Sequence, residues 1–337
     1  MLITDAGMLL LALVIILAGA ELFTNALEHV GQRFHLSEGL VGSVLAAVAT
    51  ALPETIVPIV AVFFGGSALS VREHVGIGAI LGAPLMLASV AMAVIAVTAG
   101  LTRGWRAPLK PEATGLYRDL LYFLVAFLLA FFALFIPAQL RMPRILATVA
   151  LVFIYGYYVY NTVAASFELV EQGHATQADG RLWLQRLRLP QALWSEILQL
   201  LIGLVLIIAG ARLFVRGVEQ LAVLTGAGVL VLSLLIVPIA TEMPEKFNSV
   251  LWIRRRKDTL AFGNVTGALV FQGTLLPAFG IQLGAWHAQG DMLLAMGLTF
   301  ASTLWVLFLV KGNRLKPLWL LPAVFSYVLM CVLLAWR

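Results

Sequence analysis

Ten stretches of this chain run for about twenty residues with very little charge. No single water-soluble core could bury them all. They lie at about 7–27, 40–64, 75–99, 117–137, 143–163, 194–214, 229–252, 260–283, 291–310 and 317–335. A helix needs ~20 mostly apolar residues to cross the hydrocarbon of a bilayer. In lipid only helices and closed barrels satisfy every backbone polar group. Composition agrees: the 337 residues are 61% hydrophobic and 12% charged, against roughly 45–50% and about 25% in a soluble domain. Mean hydropathy is +0.99. The expected fold class is an all-α polytopic membrane protein with ten transmembrane helices. The first stretch has no basic segment before it and reads as a helix rather than a signal peptide. One cysteine, Cys331, leaves no intramolecular disulfide, and no Cys/His cluster suggests zinc or haem. No cofactor is expected.

The net charge of +5 could suggest nucleic acid. Its placement in short loops argues for a topology signal instead, with no nucleic-acid partner. Of the 22 Lys and Arg, 15 fall in the loops after odd-numbered helices, 6 on the opposite side, and Lys246 inside helix 7. The bias places the odd-numbered loops in the cytoplasm and both termini outside, in the plasma (inner) membrane. The longest loop, 164–193, is then cytoplasmic. Its polar run E-Q-G-H-A-T-Q-A-D-G-R reads as a flexible connection between two halves.

The halves repeat one another. G-A-E-L-F at 19–23 returns as G-A-R-L-F at 210–214, and Glu28 returns as Glu219 at the same offset. Ala49-Thr50 and Pro53-Glu54 return as Ala240-Thr241 and Pro244-Glu245, again at that offset. A second register aligns 72–83 with 257–268. Helices 1 and 6 are five spans apart, so corresponding helices must cross in opposite directions. The expected organisation is two inverted five-helix repeats, 1–163 and 194–337, joined by 164–193. Inverted repeats with broken helices at the midplane are a recurrent plan of secondary transporters.

The repeated motif carries the chemistry. Glu54 lies near the centre of its span, and Glu242 and Glu245 are comparably deep. A charge there costs roughly 2.5–3.5 kcal/mol on insertion scales, so these carboxylates should face protein, a cation or water. The proline before each repeated Glu removes a backbone N–H and disfavours helix one residue earlier. Freed carbonyls, carboxylates and the hydroxyls of Thr50 and Thr241 form an all-oxygen set that suits hard cations such as Ca²⁺. Thr50 and Glu54, like Thr241 and Glu245, are four residues apart and share a helix face. The threonines could equally bond back to their own helix. Gly78, Gly82, Gly263 and Gly267 could serve only close packing. Lys246 stands four residues after Glu242, in the favourable order for an ion pair. It could snorkel to an interface, or its ammonium could replace a bound cation.

At these residues the chain resembles the cation/Ca²⁺ exchanger superfamily, which includes Na⁺/Ca²⁺ exchangers. That family carries two inverted repeats, each with a G-T-S-x-P-E-like helix followed by a helix bearing G-N-x-x-G-S-N-x-F-N or a variant. Here the first helices read A-T-A-L-P-E (49–54) and A-T-E-M-P-E (240–245). The second read G-A-I-L-G-A-P-L-M-L (78–87) and G-N-V-T-G-A-L-V-F-Q (263–272). The family serine is replaced by Ala51 and Glu242, and the Asn or Asp of G-S-N by Pro84 and Leu269. Asn264 and Gln272 keep amides. The resemblance implies a secondary active antiporter that exchanges Ca²⁺ or a related cation against Na⁺ or H⁺ by alternating access. Its cation site would hold Glu54, Glu245, Thr50, Thr241 and Glu242, with Asn264 and Gln272 nearby and Lys246 as charge partner. Its partners would be the lipid bilayer and inorganic cations; the sequence does not define an oligomer. A proton-coupled carrier of another substrate on the same fold, or a non-transporting membrane protein, stays open. An enzyme is not expected, since His29, His35, His74, His174 and His287 lie at span ends or in loops and no H-E-x-x-H occurs.

Overall fold

The computed structural model describes residues 2–51, 80–225, 242–282 and 286–335. The described residues form ten principal helical segments. They are α1 (Leu2–Arg33), α2 (Glu38–Thr50) and α3 (Ile80–Arg103), α4 (Ala113–Ala133), α5 (Arg141–Glu171) and α6 (Leu193–Thr225). After these come α7 (Met243–Arg254), α8 (Asp258–Gln282) and α9 (Gly290–Lys311). The tenth, α10, starts as Pro317–Leu320, tightens through a 3₁₀ turn at Leu321–Ala323 and ends as Val324–Ala335. Seven described helices are long and apolar enough to cross a membrane. The expected second, third, seventh and eighth spans lie partly outside the described residues. Several helices outrun their expected ends; α5 gains two residues before its apolar stretch and eight after it. Apolar pattern marks the lipid-buried part of a helix, whereas hydrogen bonding continues into the polar ends.

Helices α1 and α6 pack along one another and run in opposite directions. Gly19 meets Gly203, while Gly210, further along α6, meets Ala12, earlier on α1. A Cβ on Gly203 would stand 2.7 Å from the Phe23 backbone nitrogen. Only glycine lets the two backbones approach so closely. Gln199 fastens the pair, donating to the Leu22 carbonyl at 3.0 Å and to Asn25 Oδ1 at 2.8 Å.

The core is built around α8. Nearly every residue from Leu260 to Ile281 is buried, against α2, α4, α5 and α7. Such all-round burial explains why the sequence of α8 has no polar face. On α5 the opposite holds: Met142, Leu146, Val149, Phe153, Tyr160 and Phe167 are exposed, a stripe suited to lipid tails. Within α2, Val41–Ala46 forms a π-helical turn, which brings the Ser43 backbone against Gly263 and Gly267 of α8. A Cβ on Gly267 would collide with the Ser43 carbonyl. At these two glycines the close-packing reading holds.

The long connection differs from its expected flexibility. Its residues are tied to the helix bundle. The Glu38 amide donates to the His174 carbonyl at 3.0 Å and Thr176 to the Leu36 carbonyl at 2.9 Å. Trp183–Leu187 forms a 3₁₀ turn whose Leu184 amide donates to Gln199 Oε1 at 2.9 Å. Polar composition marks the segment as outside the membrane. It carries no information on backbone bonds made with distant residues.

Candidate cation site

Two copies of the repeated motif mark helix boundaries. Helix α2 stops at Thr50, three residues before Pro53, and Ala51 caps it with φ −82° and ψ 2°. In the second copy α7 begins at Met243, directly before Pro244. Proline at the start of a helix loses nothing, because the first N–H groups have no intrahelical partner. Those unpaired N–H groups give the N-terminus a positive character that favours anions within the first turn. Glu242 caps this end of α7, and Glu245 stands in its first turn.

Both carboxylates are fully buried. Glu242 Oε1 accepts from Gln272 Nε2 at 3.1 Å, and its Oε2 lies 3.7 Å from Lys246 Nζ. The ion pair expected from the i,i+4 spacing is therefore present. Lys246 does not snorkel. Its side chain is 9% exposed, and Nζ folds back to donate to the Glu242 carbonyl at 3.1 Å. Side chains on a helix lean toward its N-terminus, and there the lysine finds oxygen without leaving the core.

Glu245 is less satisfied. Among the described residues, neither carboxylate oxygen has a hydrogen-bond partner of good geometry. The Thr50 hydroxyl approaches it but directs its proton to the Ala46 carbonyl at 2.9 Å. The back-bonding reading of Thr50 thus holds. Asn264 of α8 joins the two motifs. Its Nδ2 donates to the Glu245 carbonyl at 3.0 Å and to Ser249 Oγ at 3.3 Å, and its Oδ1 lies 3.5 Å from Thr50 Oγ1. A buried polar atom without a partner is costly. Among the described residues, the atoms of α7 and α8 without a partner include Glu245 Oε1 and Oε2, both amide atoms of Asn248, and Gln272 Oε1. Buried carboxylate and amide oxygens without donors are the ligand type a hard cation takes.

Of the expected site residues, the structure brings Thr50, Glu242, Glu245, Asn264, Gln272 and Lys246 together on α2, α7 and α8. Glu54 and Thr241 lie outside the described residues. Asn248 is an addition. It stands three residues after Glu245, a spacing that places both on one helix face. That signal was present in P-E-K-F-N-S.

A further buried carboxylate was not anticipated. Asp119 of α4 accepts from Ser43 Oγ and Thr266 Oγ1, both at 2.7 Å, and from the Tyr158 hydroxyl at 3.1 Å. It ties α4 to α2, α8 and α5. Glu28 of α1 is likewise fully buried. It accepts from Trp252 Nε1 at 2.9 Å and from Lys257 Nζ at 2.8 Å, linking α1 to the α7–α8 junction.

Known proteins agree with this architecture. Over 317 residues the chain is 26% identical to a protein named as an antiporter, CaxA of Alkalimonas amylolytica, covering 91% of each. It is 24% identical over 270 residues to MJ0091, a membrane protein of Methanocaldococcus jannaschii, covering 80% of this chain and 78% of that one. Its fold matches the sodium-calcium exchanger NCX_Mj with a TM-score of 0.74 at 18% identity, over 98% of this chain and 99% of the other. That exchanger was solved in crystals soaked with Na⁺, Ca²⁺ or Sr²⁺. The sequence model of the sodium/calcium exchanger proteins matches residues 4–164 and 195–336, and the chain belongs to that family.

Proposed function

We propose that the protein is a secondary active cation antiporter that exchanges Ca²⁺ or a related cation against Na⁺ or H⁺. Its two five-helix repeats, 1–163 and 194–337, would meet at one site near the bilayer midplane. Glu54 and Glu245 bind the driven and the driving ion in turn, with Thr50, Thr241 and Glu242 completing the oxygen set. Asn264 holds the Glu245 backbone, and Gln272 holds Glu242. Both termini face outside the plasma (inner) membrane. The transported cation is substrate, and no cofactor takes part.

The observation that carries this reading is Glu245. It is a fully buried carboxylate for which the described residues supply no well-placed hydrogen bond to either oxygen, beside Thr50 of the other motif copy. A group so placed is costly unless a cation or proton occupies it. Alternating access then follows from charge: an empty site with exposed carboxylates does not cross, whereas a loaded site does. The names of the relatives, one an antiporter and one a sodium-calcium exchanger, support the same substrate class.

Flux in proteoliposomes tests it. The protein should take up Ca²⁺ against an imposed Na⁺ or proton gradient, and Glu245→Gln or Glu54→Gln should abolish that uptake. Unchanged coupled uptake in either variant sinks the assigned roles. A proton-coupled carrier on the same fold is the second reading, favoured by the Glu242–Lys246 pair, which neutralises one charge of the set. It predicts stabilisation by pH and none by Ca²⁺.

A further inference from the structure

Lys246 is the anomaly of the site. A cation binder gains nothing from a fixed positive charge beside its carboxylates, unless that charge does a cation's work. The lysine sits in the first turn of α7, and its side chain runs back toward the helix N-terminus. That end carries the positive pole of the helix and repels an ammonium. Water at an interface would be the easier destination for so long and flexible a chain. Nζ instead ends 3.1 Å from the Glu242 carbonyl and 3.7 Å from Glu242 Oε2, in a core where Glu242 is fully buried. The Glu242 backbone, at the cap of the broken helix, thus supplies a carbonyl, and its side chain a carboxylate. These are the ligand types a dehydrated monovalent cation takes. An ammonium offers three donors and no acceptor, so it uses oxygens as such a cation does.

Gln272 shows how the arrangement is held. Its amide nitrogen donates to Glu242 Oε1, leaving Oε2 turned to the lysine. Its own Oε1 has no hydrogen-bond partner among the described residues. Glu242 and Lys246 occur together in the second copy of the motif, while the first copy has Ala51 at the position of Glu242 and Thr55 at that of Lys246. The extra carboxylate and the extra ammonium are thus one insertion into an otherwise repeated pattern. Local charge is unchanged by the pair, but one cation position is filled.

We propose that the Lys246 ammonium is a built-in monovalent cation, tethered in a position of the site that Glu242 forms, so that the protein binds one fewer free monovalent cation than the same site without the lysine. This deepens the antiporter reading and rests on it for the location of the site. The consequence is specificity. The tethered charge never dissociates, so the protein needs no free ion at that position to complete its loaded state, and each cycle carries one fewer free cation.

The test is equilibrium binding of radiolabelled Na⁺ to the purified full-length protein, with choline chloride holding ionic strength. Lys246→Ala should bind one additional Na⁺ per protein relative to the wild type. Methylammonium, which mimics the lost group, should compete for that ion, and choline should not. Adding Glu242→Gln to Lys246→Ala should remove the gained ion. The proposal is overturned if Lys246→Ala binds the same number of Na⁺ as the wild type, or if the gained ion survives Glu242→Gln. Should Lys246→Ala be unstable, saturating Na⁺ or methylammonium should restore its thermal unfolding profile; failure of both to do so also overturns it. Glu245→Gln separates this outcome from the wider reading. Ca²⁺ uptake that persists in Glu245→Gln removes the antiport site, whereas a Na⁺ count unmoved in Lys246→Ala removes only the tethered cation.

Discussion

Asn264 donates its side-chain amide to the backbone carbonyl of Glu245 at 3.0 Å, while its own oxygen lies 3.5 Å from the Thr50 hydroxyl. One amide on α8 therefore sets the distance between the two copies of the repeated motif. Its position one residue after Gly263, which packs on Ser43 of α2, explains why it reaches both. The site is assembled by α8, a helix that carries neither of the repeated carboxylates.

Asn264→Leu should weaken that assembly in two ways. The buried Glu245 carbonyl loses its side-chain donor, at about 1–3 kcal/mol, and the Thr50 hydroxyl loses its contact across to α8 while keeping its bond to Ala46. Thermal unfolding in detergent should shift down, and Ca²⁺ should stabilise the variant less than the wild type. An Asn264→Leu protein with wild-type stability and wild-type Ca²⁺ response would show that the amide positions nothing.

Gly267→Ala should destabilise the protein, because a Cβ there collides with the Ser43 carbonyl. Overpacking of this kind costs typically about 1–3 kcal/mol. Gly297→Ala on α9 is the control: nothing stands within 4 Å of its Cβ position. Alanine there gains up to about 1 kcal/mol of helix propensity. Opposite shifts in unfolding temperature for the two variants are expected. If Gly267→Ala proves neutral, α2 and α8 are not held so close.

Asp119→Leu should be more damaging than Asp119→Asn. Leucine removes the acceptor of the Ser43, Thr266 and Tyr158 hydroxyls; Thr266 and Tyr158 keep the Phe262 and Ser43 carbonyls, so the cost falls chiefly on Ser43, at about 1–3 kcal/mol for a donor left unsatisfied. Asparagine keeps one acceptor oxygen. Recovery of monodisperse protein on size exclusion, followed by thermal unfolding, reads the difference. Equal stability of the two variants counts against the brace.

Glu28→Gln tests the link between α1 and the α7–α8 junction. It removes the partner of Lys257, whose Nζ lies 2.8 Å away with 10% of its side chain exposed. Breaking a buried ion pair from one side costs about 3–5 kcal/mol. Lys257 keeps Asp179 at 3.1 Å, so the loss should fall at the low end. Lys257→Met added to Glu28→Gln should recover stability, since no buried charge is then left alone. A double variant weaker than Glu28→Gln alone would show that the pair is not coupled.

The sequence by itself determined the membrane class, the ten helices and the doubling of A-T-x-x-P-E, because hydrophobic length and repeated residues are local properties of the chain. It also pointed to Glu242 and Lys246 as a pair, since i,i+4 spacing on one helix needs no tertiary contact. Tertiary structure decided the rest. The connection at 164–193 reads as loose, yet its backbone pairs with Leu36 and Glu38, residues more than a hundred positions away. Asp119 stands beside Arg118 in the sequence with nothing to mark it, and only the crossing of α2, α5 and α8 supplies its three hydroxyls. Lys246 could equally have reached for water. Packing turned it to the Glu242 carbonyl and carboxylate. Spacing along a helix reports which side chains share a face, but only packing between helices decides what that face meets.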